Sequence, residues 1–345
     1  MRRAIVLGGT GAIGHAVAQT LLDRGWRVDV TGRDPGHMPP DLPGATFRAV
    51  GRDDTAAFAA LLGGGANLVV DCACFTARQA RSLAPYLAAV DSVVMISSKA
   101  VYVDGDGRHS NSDRSPAFDG PVREEQPTLG PSDAPFDTRE GYGANKAAAE
   151  AAYLETSLPV TILRPSKIHG PWSRRPREWA LVRRVLDGRR PLILAQHGQG
   201  IDHPSAAANV AALVALAADR PGQRVLNAAD PDAPSALEIA RVVARHMAFA
   251  FEEILIDEAG PGGVGRSPWN ARPPIVLDMG RALSLGYRPV GDYAQTVRAE
   301  LDWLLAMTRG RAPDWALPGK EDPFFAPLLD YAAEERWRSE RAGRG

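Results

Sequence analysis

Along the first half of the chain, short unbroken apolar runs alternate with stretches whose apolar residues recur every three to four positions. The runs show no polar alternation, as is usual for strands buried on both faces. They predict strands at Arg3–Leu7, Arg27–Thr31, Thr46–Val50, Leu68–Cys72, Ser92–Ser97 and Val160–Leu163, with helices at Ile13–Arg24, Asp54–Leu62, Ala77–Ala89 and Tyr142–Thr156. Strands and helices in strict alternation build a parallel sheet covered on both faces, the doubly wound Rossmann-type form of the α/β class. Between Val103 and Gly141 the periodicity stops, and Asp, Gly, Ser, Pro and Arg dominate. An irregular stretch of that length is uncommon in a compact domain, so the loop 103–141 is expected to act as a lid.

After Pro165 the texture changes. Helical patterns at Glu178–Leu186, Ala206–Ala217, Ala236–His246 and Ala294–Met307 are joined by apolar runs such as Leu192–Ala195, Val225–Asn227 and Glu253–Ile256. Residues 1–165 are therefore expected to form one domain, and residues 166–345 a smaller mixed α/β lobe with a C-terminal extension. Trp315, Phe324, Phe325 and Trp337 predict that the last segment docks onto the body, while Arg338 to Gly345 is expected to fray.

The first predicted strand runs directly into Gly8-Gly9-Thr10-Gly11-Ala12-Ile13-Gly14 and then into a helix. Glycines at this junction allow a tight turn, a close approach of backbone to a pyrophosphate, and close packing of helix on sheet. The helix N-terminus adds free N–H groups and positive partial charge. Gly8, Thr10, Gly11, Ala12, Ile13 and Gly14 are thus the candidate phosphate cradle of a dinucleotide. An acidic residue ending the second strand would hold the ribose 2′-hydroxyl of NAD, but Gly32 stands there, and Arg33 follows. A guanidinium suits a 2′-phosphate, so NADP is favoured over NAD as the cofactor. Asp53, past the third strand, is either an adenine-side contact or the cap of the next helix.

Tyr142-Gly143-Ala144-Asn145-Lys146 places a phenol and an ammonium at i and i+4, on one helix face. A neighbouring ammonium favours the phenolate, which makes a tyrosine usable as a general acid or base, and the same lysine can hold the nicotinamide ribose. The fifth strand ends in Ser97-Ser98-Lys99, at the edge where ligands of such sheets bind. Ser98 is the candidate to orient a substrate oxygen. Phe75, just past the fourth strand, is a candidate for lining the nicotinamide pocket.

Composition narrows the partners. Lys plus Arg total 40 against 41 Asp plus Glu, a net charge of −1, which offers no footprint for nucleic acid or an anionic membrane. No apolar run reaches a membrane-spanning length. The first strand starts almost at Met1, where no leader peptide is expected, and Cys72 and Cys74 make neither a disulfide framework nor a zinc site. A cytoplasmic protein without a metal, acting on a small molecule, is expected.

With these motifs in place, the chain resembles the extended short-chain dehydrogenase/reductase family, of the NAD-dependent epimerase/dehydratase type. Gly8–Gly14, Ser97–Tyr102, Tyr142–Lys146 and Leu163–Pro171 carry the resemblance, with weaker echoes at Asp71-Cys72-Ala73 and Val225–Ala228. It implies a catalytic trio of Ser98, Tyr142 and Lys146, Ser98 lying four residues before Tyr102. It also implies cofactor contacts from the glycine turn, Ala73, Pro165 and Ser166, a substrate site built from the second half of the chain, and a homodimer.

Departures from the family pattern bear on the substrate. Lys167 stands where many relatives have a sugar-binding asparagine, and Asp202 where they have an arginine that grips a diphosphate. An acid there would repel that diphosphate, unless Lys167, Arg174 and Arg175 compensate. Lys99-Ala100 replaces the acidic pair of the sugar 4,6-dehydratases. Lys99, Lys167 and His203 join Phe75 as candidate substrate contacts, and His169 is a further histidine of that lobe. The expected function is an NAD(P)-dependent oxidoreductase acting on a secondary alcohol or ketone of a sugar-like or polyol-like metabolite. The alternatives are an epimerase using the same trio and a non-enzymatic dinucleotide sensor.

Overall fold

The computed structural model describes residues 1–309, 317–319 and 321–343; Trp315, expected to dock, lies outside them. The first unit runs β1 (Arg3–Leu7), α1 (Ala12–Asp23), β2 (Arg27–Gly32), β3 (Ala45–Ala49), α2 (Thr55–Leu62), β4 (Leu68–Asp71), α3 (Ala77–Leu83), β5 (Ser92–Ile96), α4 (Arg139–Leu154) and β6 (Val160–Pro165). It continues through β7 (Lys167–His169), α5 (Trp179–Leu186), β8 (Pro191–Ala195), β9 (Pro204–Ala206), α6 (Ala207–Asp219), β10 (Arg224–Ala228), α7 (Ala236–His246), β11 (Glu252–Ile256), α8 (Gly280–Ser284), α9 (Tyr293–Arg309) and α10 (Tyr331–Ala342).

Seven parallel strands form one sheet in the order β10-β6-β5-β4-β1-β2-β3. Successive residues of the inner strands face opposite sides. Ala4 and Val6 pack with Val17 of α1 and Val210 and Val214 of α6, while Ile5 and Leu7 pack with Leu83 of α3 and Ala149 and Tyr153 of α4. Strand order reverses between β1 and β4, so a crevice opens at their C-terminal ends, where ligands of such sheets bind.

The sheet does not end at the expected boundary of residue 165. β10 pairs with β6, and Leu226 and Ala228 join the α1/α6 core. A short run such as Val225–Asn227 looks alike whether it extends a large sheet or starts a small one; the neighbour decides. The remainder of the second half builds two short parallel pairs, β8 with β11 and β7 with β9, around an aromatic core that includes Trp172, Trp179, Trp269, Tyr293, Trp303 and Phe325. The C-terminal segment docks through Phe325, which is buried, and through the buried ion pair of Arg184 with Glu334 on α10. α10 runs on to Ala342, and Arg338 pairs with Glu252, so the expected fraying at Arg338 is not what the fold shows.

Residues 103–138 contain no named helix or strand, the last three residues of the expected loop belonging to α4, yet much of the stretch is tied to the body. The Asp104 carboxylate accepts hydrogen bonds from the backbone N–H groups of Asp106, Arg108 and Ala117. Val122 bridges to Leu277, and the buried Glu124 carboxylate accepts from the Asn227 N–H. The part that reaches the crevice is its end, where Phe136 stacks on Phe75 at 5.2 Å.

Candidate active site

At the end of β1, Gly8 adopts φ +76°, a conformation that favours glycine. A Cβ on Gly14 would lie 2.4 Å from the Gly9 Cα, so α1 rests on the turn backbone against backbone. The role of Gly9 escaped the motif: its Cβ would fall 2.3 Å from Val30 Cγ1, which lets the turn lie flat on β2. Around Gly11 the space is open, with nothing within 4 Å of a would-be Cβ. Ala12 is buried and Ile13 packs against the core, which leaves their backbone N–H groups as what they can offer a ligand. No side chain caps α1 and no acidic residue stands in its first turn, so the N–H groups and positive partial charge of this N-terminus are left open to an anion.

The turn borders a cleft of about 380 Å³. Gly8, Thr10 and Gly11 line its centre, Thr31, Gly32 and Arg33 one end, and Cys72, Ala73 and Phe75 the other. Arg52 also lines it, held by Asp71 at 2.8 Å and by the Gln79 carbonyl at 3.0 Å. Asp53, expected either near the adenine or as a helix cap, is not among the residues lining the cleft: its carboxylate is 63% exposed and sits 3.9 Å from Arg78. Its neighbour Asp54 caps α2 by accepting from the Ala57 N–H. The thiols of Cys72 and Cys74 are pushed up to about 12 by burial and by Asp71, which leaves them unreactive near neutral pH.

Helix α4 starts three residues before Tyr142, where the Thr138 hydroxyl accepts from the Gly141 N–H. The Lys146 side chain is buried. Its ammonium donates to the carbonyls of Cys74 at 2.6 Å and Ile96 at 2.9 Å, just past β4 and at the end of β5, and lies 4.4 Å over the Phe75 ring. Two of its three donors are thereby satisfied at the mouth of the cleft. Gly143 explains how α4 comes so near to the end of β5, since a Cβ there would lie 2.2 Å from the Ala100 carbonyl. The segment carrying Ser98 and the turn carrying Tyr142 and Lys146 are therefore packed together by a glycine that the motif treated as filler. The two serines are now distinct. Ser97 donates to the buried Glu150 carboxylate, while the half-buried Ser98 hydroxyl accepts from the Ala100 N–H.

Beyond Ser98 lies a buried charge cluster. Lys99 is ion-paired with Asp202, whose other oxygen is 3.0 Å from Lys167. Asp202 does not stand alone as an acid: Lys99 and Lys167 flank its carboxylate, and Arg177 lies within electrostatic range of both lysines. Burial, then Lys167 and Arg177, hold the Lys99 ammonium well below its usual range. Burial and Arg177 push Lys167 down to about 7, against the pull of Asp202. Arg177 also lies within electrostatic range of Tyr142. Nothing in the sequence motifs pointed to Arg177.

His203 is withdrawn from substrate contact. Its Nδ1 accepts from the Leu277 N–H at 3.0 Å and its Nε2 donates to the Asp230 carbonyl at 2.9 Å, a neutral tautomer that burial reinforces by lowering its pKa. At the end of β6, Pro165 is buried, and the Ser166 N–H donates to the Ser205 hydroxyl. The Ser166 hydroxyl itself is buried with no hydrogen-bond partner, a polar atom left over where a cofactor contact was expected.

A parallel sheet of this order with a glycine turn at its switch point defines a Rossmann-type dinucleotide-binding protein. The family model of the NAD dependent epimerase/dehydratase family matches residues 4–229, and the chain belongs to that family of enzymes. None of the curated proteins compared with it matches. The fold is shared with dTDP-glucose 4,6-dehydratase from Bacillus anthracis in complex with NAD, at TM-score 0.67 and 14% identity over 91% of this chain and 98% of that one. UDP-glucose 4-epimerase from Thermotoga maritima with UDP-glucose gives TM-score 0.65 and 16% identity over 89% and 99%. UDP-glucuronic acid 4-epimerase from Bacillus cereus, in complex with UDP-glucuronic acid and NAD, gives 0.64 and 18% over 88% and 99%. Among the described residues no helix is long and apolar enough to cross a membrane.

Proposed function

We propose that the protein reversibly oxidises a secondary alcohol of an anionic, sugar-like substrate with a nicotinamide dinucleotide, using Ser98, Tyr142 and Lys146. The observation that carries this reading is Lys146, fixed between the ends of β4 and β5 beside the cleft, with Tyr142 one helical turn before it. The open face at Gly11, the uncapped N-terminus of α1 and the bare Ser166 hydroxyl fit a dinucleotide. When bound, its nicotinamide ring takes or gives the hydride. Ser98 orients the substrate oxygen, Tyr142 takes the hydroxyl proton as the carbonyl forms, and Lys146 holds the ribose with its third donor. Run in reverse on the opposite face, the same steps invert the carbinol, and the sugar-nucleotide epimerases among the solved structures favour this second outcome. With Lys99 held well below its usual range, the charges that outweigh Asp202 are Arg177 and, below about pH 7, Lys167, which supports a substrate bearing a carboxylate or phosphate.

The test is to denature purified protein and identify released nucleotide by mass, then titrate fresh protein with NADPH and NADH. Nucleotide that leaves only on denaturation supports an epimerase that recycles it. A dissociable cosubstrate supports a reductase, and binding of neither refutes both. Arg33 is exposed at the adenosine end of the cleft. Arg33→Ala is expected to weaken NADPH binding by about tenfold or more, the worth of a charge-assisted contact, and to leave NADH binding nearly unchanged. Equal losses for both cofactors would remove the 2′-phosphate from the argument.

The site also carries a pH signature. Lys167 is cationic below about 7 and neutral above it. KM for an anionic substrate is therefore expected to rise between pH 6.5 and 8.5, and Lys167→Arg to flatten that limb, because a guanidinium keeps its charge. A KM that is constant with pH in the wild type would count against Lys167 as a substrate contact.

A further inference from the structure

Behind the charge cluster, in the second lobe, three buried side chains converge from three elements: His169 of β7, Glu178 at the start of α5 and Glu300 in the middle of α9. One ligand atom of each lies within 4.8 Å of the other two. All three side chains share one pattern. His169 Nε2 is engaged by the Asp230 carboxylate at 2.8 Å, and its Nδ1 has no partner. Glu178 Oε1 accepts from the Tyr293 hydroxyl at 3.0 Å, and its Oε2 has no partner. Glu300 Oε2 accepts from the Gly170 N–H at 2.6 Å, and its Oε1 has no partner. Each group is thus held by one atom and left bare at the other, in a place that water does not reach: the three residues are 1%, 1% and 0% exposed.

Bare polar atoms in such an interior are costly unless something binds them. A histidine whose far nitrogen donates to a carboxylate is also the usual arrangement of a metal-ligating imidazole, because the carboxylate fixes the tautomer and frees the other lone pair. Asp230, Glu178 and Glu300 bring three carboxyl groups together, with Arg177 acting on the latter two. Without a cation, burial and Glu178 hold the Glu300 carboxyl well above its usual range, the crowding that a bound cation would relieve.

We propose that His169, Glu178 and Glu300 form a binding site for one divalent first-row cation, of the zinc or manganese class, that locks β7, α5 and α9 together. One imidazole and two carboxylates suit such an ion, whose bonds to nitrogen and oxygen run to about 2.0–2.2 Å for zinc. The site is enclosed and is distinct from the Ser98/Tyr142/Lys146 group, so the ion serves structure: it fixes the segment that carries Arg177 beside the substrate cluster. An ion of this kind enters as the lobe folds, and its binding energy adds to stability. Neither cysteine takes part, and no metal motif in the sequence marks the site, because the ligands are 9 and 122 residues apart along the chain.

The rival occupant is a proton shared between Glu178 and Glu300, and the test separates the two. The full chain is produced in medium supplemented with zinc or with manganese, and its metal content is measured after gel filtration. The expected result is one retained ion per chain, a fall in Tm on prolonged warming with EDTA, and an imidazole-nitrogen coupling in the electron spin echo of the manganese form. Glu300→Gln is expected to lose the ion while still folding, since the amide keeps the volume and can accept from Gly170. Metal-free protein from both media overturns the proposal. So does metal retained equally by Glu300→Gln, or a manganese form without nitrogen coupling. These readouts do not depend on turnover, so they stand or fall apart from the assignment of the reaction.

Discussion

Tyr142→Phe lowers kcat by about 10²–10⁴, the usual worth of a positioned general acid or base, and leaves dinucleotide affinity and Tm close to wild type. The substitution keeps the ring and removes only the hydroxyl, so packing at the first turn of α4 is preserved. Lys146→Met should behave differently. It strips the buried ammonium from the carbonyls of Cys74 and Ile96, and so weakens cofactor binding as well as turnover. Steady-state kinetics and a direct binding titration on both variants separate the two roles. Residual turnover within about threefold of wild type in Tyr142→Phe, far outside the range for a lost proton-transfer group, would reject the assignment.

The largest stability effect is expected one turn further along the same helix. Glu150, 3% exposed, receives Arg164 Nη2 at 2.5 Å and Nε at 3.0 Å, and also the Ser97 hydroxyl. Arg164 is 5% exposed and packs over the Tyr102 ring at 4.7 Å. Burial works against its charge, but Glu150 outweighs burial and drives the guanidinium pKa up. Glu150→Ala leaves that guanidinium buried and unpaired, and is expected to cost about 3–5 kcal/mol in chemical denaturation. Replacing both partners, as Glu150→Leu with Arg164→Met, should recover most of the loss, since no orphaned charge then remains. A loss below about 1 kcal/mol for Glu150→Ala would place the pair in the class of solvated ion pairs. The network ties the ends of β5 and β6 to α4, so the same variant is also expected to blur the placement of Lys146.

Much of this was legible along the chain, and for identifiable reasons. The strands of the large sheet are buried on both faces, so their apolar runs and the helical periodicity between them carry the architecture directly. In the glycine turn, two of the motif glycines answer a local backbone demand, a positive φ at Gly8 and backbone contact at Gly14, while Gly11 leaves open space. The Tyr142/Lys146 spacing is likewise a property of one helix. Errors arose where a residue's role depends on a partner distant in sequence. Asp53 and Arg52 are adjacent, and only the position of Asp71 draws Arg52 into the cleft and leaves Asp53 outside. Asp202 reads as a repulsive charge that Lys167 could offset, and only the fold places Lys167, and Lys99 with it, against that carboxylate. His203 looked available until the backbones of Asp230 and Leu277 took both its nitrogens.

The division follows from the range of the forces involved. Periodicity, turn chemistry and helix-face spacing act over a few residues, so the amino-acid sequence alone determined the Rossmann-type sheet, the phosphate turn and the Tyr–Lys pair. Charge state, solvent exposure and hydrogen-bond satisfaction depend on whatever lies across the fold. The tertiary structure alone decided that β10 closes the large sheet, that Arg177 joins Lys99 and Lys167 beside Asp202, and that His169, Glu178 and Glu300 meet in one enclosed space.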